Sequence, residues 1–314
     1  MPRIWNYLAL IVAAICFGTI PIFSVYLTNL FGVPSLQQAF FRVFFTVIFL
    51  FIGLGVFTSF RGLRLKRKHL PSFLLYGLIG IATSIMAYIT AIAIGTPVVV
   101  AVSLTYLYPA ITLLLARYIL KEPFNRVRLI AVPLSIGGAV IVSLPLEMAA
   151  SPVPIVGVLL SVANGVFAAF YVILGRKWSG YEGYDPSTTT FWGYFFALLW
   201  MFPLIFSVNL VVTNPLVSGF LFVLPPPAWL LLLAFAFVST TIPYTLVNVG
   251  VKDIDASAAS ILLLLDPISA VVMAYFFLGQ SVAFWQFIGA FFILLATVLI
   301  AIEPRLVAGS KNLL

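Results

Sequence analysis

Two charged side chains stand inside long apolar runs: Arg42, within FFRVFF, and Asp266, within LLLLDPIS. An ionised group in hydrocarbon costs about 2.5–3.5 kcal/mol or more, so each must face protein or water and find a partner or a proton. For Asp266 three chemistries are open: an acid bonded to neighbouring hydroxyls, a contact for a substrate amine or cation, or a carboxyl that couples a proton. Arg42 lies roughly six residues, about 9 Å of helical rise, inside its run. Its side chain either snorkels or bonds structurally, or its guanidinium grips a substrate carboxylate with two parallel hydrogen bonds. A pairing of Arg42 with Asp266 is a further arrangement the sequence allows.

Uncharged polar residues cluster in two other apolar runs. One contains Ser239, Thr240, Thr241, Tyr244, Thr245 and Asn248; the other contains Thr83, Ser84, Tyr88 and Thr90. Such hydroxyls either bond their own helix backbone or line a cavity. Gln37, Gln38, Tyr106 and Asn164 are further lining candidates, and Trp192 and Tyr194 could supply aromatic walls. The candidate cavity set is therefore Gln38, Arg42, Thr83, Tyr88, Tyr106 and Asn164, with Trp192, Thr241, Tyr244, Asn248 and Asp266. Pro109 and Pro267 each remove a backbone donor and bend a helix. They either set packing geometry or let helices bend during gating.

Other chemistries lack their residues. The sole histidine, His69, sits in a basic loop, and the sole cysteine is Cys16. A Ser-His pair within the membrane and a zinc ligand set are both missing. Asp253 and Asp255 form a D-x-D that could hold Mg²⁺ for an intramembrane enzyme acting on lipid substrates, or could simply belong to a charged turn. No GxxxxGK motif is present, so direct drive by ATP is not expected. The sequence predicts no catalytic residue, no metal site and no cofactor.

The elements that must position these residues follow from composition. Of 314 residues, 63 % are hydrophobic and only 8 % charged, with a mean hydropathy of +1.21. Soluble domains carry about 25 % charged residues. This chain lacks the polar side chains to face water and is expected to be solvated by lipid. Ten apolar segments are readable, at about 5–27, 36–57, 70–92, 97–117, 126–144, 153–175, 188–208, 227–249, 256–278 and 282–302. They do not alternate as the strands of a membrane barrel would. The first is too long for a signal-peptide core and is expected to be a retained helix. Ten spans leave no room for a soluble domain.

Loop charges orient the spans. Arg3, then Arg61, Arg64, Lys66, Arg67 and Lys68, then Arg117, Lys121, Arg126 and Arg128, then Arg176, Lys177, Lys252, Arg305 and Lys311 all fall on one side of a ten-helix model. The opposite loops, about 28–35, 93–96, 145–152, 209–226 and 279–281, carry none. The positive-inside rule then predicts both termini in the cytoplasm. The net charge of +8 reflects this topology and attraction to anionic lipid rather than nucleic acid.

The chain also repeats. The stretch from Gly95, GTPVVVAVSLTYLYPAITLLLARYILKEPFNRVRL, matches the stretch from Asp253, DIDASAASILLLLDPISAVVMAYFFLGQSVAFWQF, at a shift of 158 residues. Pro109 meets Pro267, Leu120 meets Leu278, and Tyr108 meets Asp266. With five helices per copy, the second copy must insert upside down. The basic turn LKEPFNRVR accordingly becomes the uncharged turn LGQSVAFWQ. Two facing halves of this kind can open a central site to one side and then the other.

These features resemble the EamA-type family of the drug/metabolite transporter superfamily. The resemblance covers nearly the whole chain: Arg42 in its apolar setting, the small-residue helix with its mid-helix Pro109, and the turn Leu120-Lys121-Glu122. Gln280 stands where the family commonly has Glu, a departure without expected mechanistic effect because the turn is read as lying at the surface. The resemblance implies an all-α integral membrane protein of ten helices, in two inverted five-helix repeats at 1–150 and 151–314. It implies a secondary transporter of small organic solutes such as amino acids, metabolites or drugs, in the plasma membrane, with export as the expected direction. The expected partners are the bilayer and a small-molecule substrate, with no nucleic acid; the oligomeric state stays open. The alternatives are the lipid-directed enzyme above and a channel, although no ring of charges or carbonyls is evident.

Overall fold

Ten helices in the computed structural model are long and apolar enough to cross a membrane. The structure describes residues 4–123, 126–144, 154–212, 214, 215, 217–221 and 223–311, with side chains except at 99, 211 and 304–311. Every regular element among these residues is helical. The spans are α1 (Ile4–Phe31), α2 (Ser35–Thr58), α3 (Arg67–Ala93), α4 (Val100–Leu120), α5 (Arg126–Ser143), α6 (Ile155–Tyr181), α7 (Pro186–Leu210), α8 (Pro226–Asp253), α9 (Ala256–Leu278) and α10 (Phe284–Glu303). Each coincides with one of the ten predicted segments. Helices prevail because hydrocarbon offers no partner for a backbone N–H or C=O, so each span must satisfy its own. Arg3, the side chains of Arg305 and Lys311, and the whole loop 145–152 lie outside the described residues.

Large apolar side chains point outward, as a lipid-solvated surface requires: Phe57, Leu210, Phe276 and Phe284 are all exposed. Helix contacts inside the bundle rely on close approach, since burial against lipid gives little drive. The pair α5 and α10 runs side by side. A Cβ on Gly138 would lie 2.6 Å from the Gly289 carbonyl oxygen, and one on Gly289 would lie 2.6 Å from that of Gly138. Only glycine permits that separation at both positions.

Spans α4 and α9 are interrupted at their repeat-related prolines, whereas Pro133 and Pro203 sit inside continuous helices. In α4 the helix Val98–Thr105 ends, and Pro109 occupies the first turn of a new helix, Tyr108–Leu115. In α9 the chain tightens to a 3₁₀ turn over Leu263–Leu265, and Pro267 sits in the first turn of Asp266–Leu278. The expected bend thus exists at both repeat-related prolines.

A second device recurs at the same shift of 158 residues. Span α3 widens to a π turn over Tyr76–Ala82, and α8 does so over Phe237–Thr241. The Thr83 hydroxyl donates to the Leu78 carbonyl at 2.6 Å. The Thr241 hydroxyl donates to the Ala236 carbonyl at 2.9 Å. Each threonine reaches five residues back and satisfies an acceptor that the widened turn frees. Thr83 thus spends its hydroxyl on its own helix, while the Thr241 hydroxyl also meets that of Thr46 on α2 at 3.1 Å.

Candidate functional site

Arg42 turns inward rather than out to the interface. Its Nε donates to the Thr240 hydroxyl at 3.0 Å, and its guanidinium carbon lies 4.5 Å from the Phe235 ring centroid. Both partners belong to α8, one helical turn apart. Among the described residues its two terminal amino groups have no hydrogen-bond partner, and they are not sealed from open space. The side chain is fixed at its neck and ring face while its fork stays available.

Asp266 begins the helical part of α9 after the 3₁₀ turn. That position places its carboxylate at a helix N-terminus, whose partial positive charge favours an anion. The Tyr106 hydroxyl of α4 donates to Oδ1 at 3.0 Å. Among the described residues Oδ2 accepts nothing, and Asp266 forms no ion pair with Arg42. Tyr88 of α3 and Tyr108 of α4 both interact electrostatically with Asp266. The Tyr108 hydroxyl itself donates to the Ser260 carbonyl at 2.9 Å.

Tyr244 lies on α8, between Thr240 and Asn248. Its ring packs edge-on against Phe17, Tyr171 and Tyr194, with centroids 4.9, 5.0 and 5.2 Å away. Arg42, Tyr88, Tyr106, Tyr244 and Asp266 sit mid-span on five different helices, yet all are half-buried rather than sealed. Arg42 is tied to α8 through Thr240 and Asp266 to α4 through Tyr106, each keeping polar atoms without a partner among the described residues.

The remaining candidates hold the frame. Gln38 is buried and fully engaged: its Oε1 accepts from Ser24 at 2.8 Å, and its Nε2 donates to Thr28 and to the Val33 carbonyl. Asn164 accepts from Ser84 at 2.6 Å and donates to Thr105 at 2.9 Å, tying α6 to α3 and α4. Asn248 donates to Tyr171, Thr190 and the Tyr244 carbonyl. The Trp192 indole donates to the Leu63 carbonyl at 3.2 Å, in the basic loop and away from the charged pair. A groove of about 440 Å³ lies between α2, α7 and α8, lined by Phe49, Leu54 and Phe57 together with Asp185, Thr241 and Thr245. It does not include Arg42 or Asp266.

A second charged cluster was not anticipated. Arg128, read from sequence as a loop charge, is only 5 % exposed, and Glu122, read as part of a surface turn, is 4 % exposed. Arg128 donates to Glu303 from Nε at 2.9 Å, to Ser257 at 2.8 Å, and to Asp255 at 2.6 Å; the Glu122 carboxylate lies 3.6 Å away. Glu122 accepts from the Ala256 and Ser257 amides and from the Ser257 hydroxyl. Burial, and then the neighbouring Asp255 carboxylate, push the Glu122 carboxyl up from its ordinary value. Arg176 reaches Asp255 at 3.4 Å. The D-x-D is split between tasks, since Asp253 accepts from Asn6 at 2.6 Å while Asp255 serves the arginines. The surface-turn expectation thus fails for Glu122 but holds for Gln280, which is exposed. A signal was present: at the shift of 158, Glu122 becomes Gln280 and Arg128 becomes Gln286, so both charges vanish together.

Comparison with known proteins adds the following. A family model described as the EamA-like transporter family matches residues 4–144 and again 155–302. An uncharacterized transporter of Archaeoglobus fulgidus is 25 % identical over 293 residues, covering 93 % of this chain and 94 % of its own. The uncharacterized transporter YyaM of Bacillus subtilis is 27 % identical over 233 residues, covering 73 % of this chain and 72 % of its own. A solved crystal structure shares the fold, with a TM-score of 0.78 at 16 % identity over 98 % of this chain and 99 % of that one.

Proposed function

The chain belongs to the EamA-like transporter family and is a multi-pass membrane transporter, and we propose that its cargo is a small zwitterionic organic solute of the amino-acid type. One observation supports this reading: a guanidinium with its fork unpartnered stands half-buried mid-span in the first half, and a carboxylate with one oxygen unpartnered stands half-buried mid-span in the second. A guanidinium suits a carboxylate bidentately, and a carboxylate beside donating tyrosines suits an ammonium. Aromatic side chains supply the walls.

On this reading the two halves, 1–150 and 151–314, are inverted five-helix repeats that expose the cavity alternately to each side. The uneven loop charges support a topology with both termini in the cytoplasm, and the proposed membrane is the plasma membrane. Transport is secondary, and outward movement is the proposed direction. Arg42 contributes from the first half and Asp266 from the second, so a bridging solute touches both moving bodies.

The test is a matched ligand panel on purified protein. Neutral amino acids, their carboxamides and their decarboxylated amines are compared by thermal shift, and the hits by counterflow in proteoliposomes. The expected result is stabilisation by the zwitterions above both single-charge analogues, with saturable counterflow. Equal stabilisation by the amines alone would overturn the carboxylate contact. Flux without saturation or exchange would point to a channel.

A further inference from the structure

We propose that the buried ion cluster of Glu122, Arg128, Arg176, Asp255 and Glu303 is a gate that seals the end of the bundle bearing the basic loops, and that this end alone is gated by charge. The inference rests on the alternating-access reading above and adds to it a named closure.

The cluster sits where such a gate must sit. Glu122 and Arg128 flank the turn between α4 and α5, Arg176 lies on α6, Asp255 precedes α9, and Glu303 ends α10. Apart from Glu122–Arg128 within the first five spans and Arg176–Asp255 within the last five, every link crosses between the two sets. Arg128 alone touches Asp255, Ser257 and Glu303, and Glu122 holds the first two amides of α9. Asn6 on α1 adds a further crossing to Asp253. Three carboxylates and two guanidiniums meet here, and the arginine at the centre is 6 % exposed in its side chain while Asp255 at the rim is 29 % exposed.

The other end is built differently. Gln280, equivalent to Glu122, is exposed. Gln286, equivalent to Arg128, accepts from the Ala283 amide at 2.9 Å and donates to the Val142 carbonyl at 3.0 Å. Neither carries charge. A buried ion pair is costly to break by removing one partner, because the other is left uncompensated. Amide bonds to a neighbouring carbonyl carry a much smaller penalty. The two ends of the bundle thus differ in what it takes to part them.

Site-directed labelling tests this. The native thiol is removed with Cys16→Ala, and Tyr88→Cys places one reporter in the internal cavity. A parallel Lys66→Cys protein marks which vesicle face bears the basic loops, so no orientation is presumed. A membrane-impermeant maleimide is then applied to each face. With the cluster intact, labelling of the reporter from the basic face is slow. Arg128→Met is expected to raise that rate by about tenfold or more, as losing the central partner of a buried network implies, while labelling from the opposite face falls. Gln286→Ala is expected to leave the basic-face rate unchanged. If Arg128→Met does not yield monodisperse protein, Glu303→Gln, which keeps Arg128 paired to Asp255, is read in its place with a smaller rise expected. An unchanged basic-face rate in a folded variant overturns the gate. A rise from both faces together leaves the gate standing and instead overturns alternating access.

Discussion

Substitution of Arg42 by Lys isolates the carboxylate contact from simple charge. The guanidinium divides its donors: Nε is committed to Thr240 at 3.0 Å, the ring face lies over Phe235 at 4.5 Å, and two amino groups remain for ligand. A lysine keeps the positive charge but has one ammonium on a flexible stem, so it cannot anchor to Thr240 and present a two-pronged fork at once. The expected loss is one charge-assisted hydrogen bond, about 1.5–3 kcal/mol, or about 10- to 150-fold in affinity. The assay is ligand affinity from counterflow, run with a zwitterionic substrate and with its carboxamide. Only the free acid should weaken, because the amide never engaged the fork. Thr240→Val should give a smaller, acid-selective loss by freeing the arginine neck. An equal loss for acid and amide, or no loss for either, refutes the assignment of Arg42 to the carboxylate.

Asp266→Asn should weaken amine-bearing ligands and spare analogues that carry only a carboxylate; Tyr106→Phe should weaken the same ligands by about two- to tenfold, the worth of one neutral hydrogen bond, both read by counterflow competition. Gly289→Leu should lower the thermal unfolding temperature in detergent, since its Cβ alone would sit 2.6 Å from the Gly138 carbonyl and overpacking costs about 1–3 kcal/mol or more. Glu122 makes stability depend on pH with a defined sign. Burial, then Asp255, raises its pKa in the folded chain, so the folded state holds the proton more tightly than the unfolded one. Its contribution is full below the ordinary glutamate range and is lost as pH rises through the raised value. Thermal unfolding followed across that window should show a shallower loss of stability with rising pH in Glu122→Gln than in the native protein, and parallel curves would contradict the assignment.

All ten spans could be read from the chain because lipid imposes two crude requirements, apolar length and paired backbone groups. Neither depends on which side chain touches which. Pro109 and Pro267 were legible through the repeat that pairs them, although a missing N–H alone does not decide a break, since Pro133 and Pro203 stand inside continuous helices. What escaped was the face each polar residue presents. In a span that is apolar all round, periodicity does not separate the lipid side from the protein side. Gln38 and Asn164 therefore read like cavity residues, while the structure spends their donors and acceptors on neighbouring spans. Thr83 and Thr241 read as ordinary hydroxyls, because a π turn leaves no mark in composition. Arg128 was counted as topological charge alone, since a charge at a span end meets the positive-inside rule whether it faces water or is buried among carboxylates.

The paired change from Glu122 and Arg128 to Gln280 and Gln286 bears on how a symmetric scaffold acquires a direction. Two inverted copies with identical ends would open either way with equal ease. Replacing a buried charge network by amides at one end breaks that degeneracy, and each 1.4 kcal/mol of difference shifts the resting ratio about tenfold. A ligand shifts the balance back only through contacts that differ between states. On the proposed reading the zwitterion has such contacts, because its two charged ends meet Arg42 on α2 and Asp266 on α9, side chains of opposite halves. A solute lacking either charge touches one half only and leaves the resting ratio where the ion cluster holds it. Recognition of cargo and release of the gate then share one requirement, a molecule with both charges at the right separation. Asp266→Asn should therefore reduce ligand-induced labelling of the cavity reporter from the basic face while leaving the ligand-free rate unaltered.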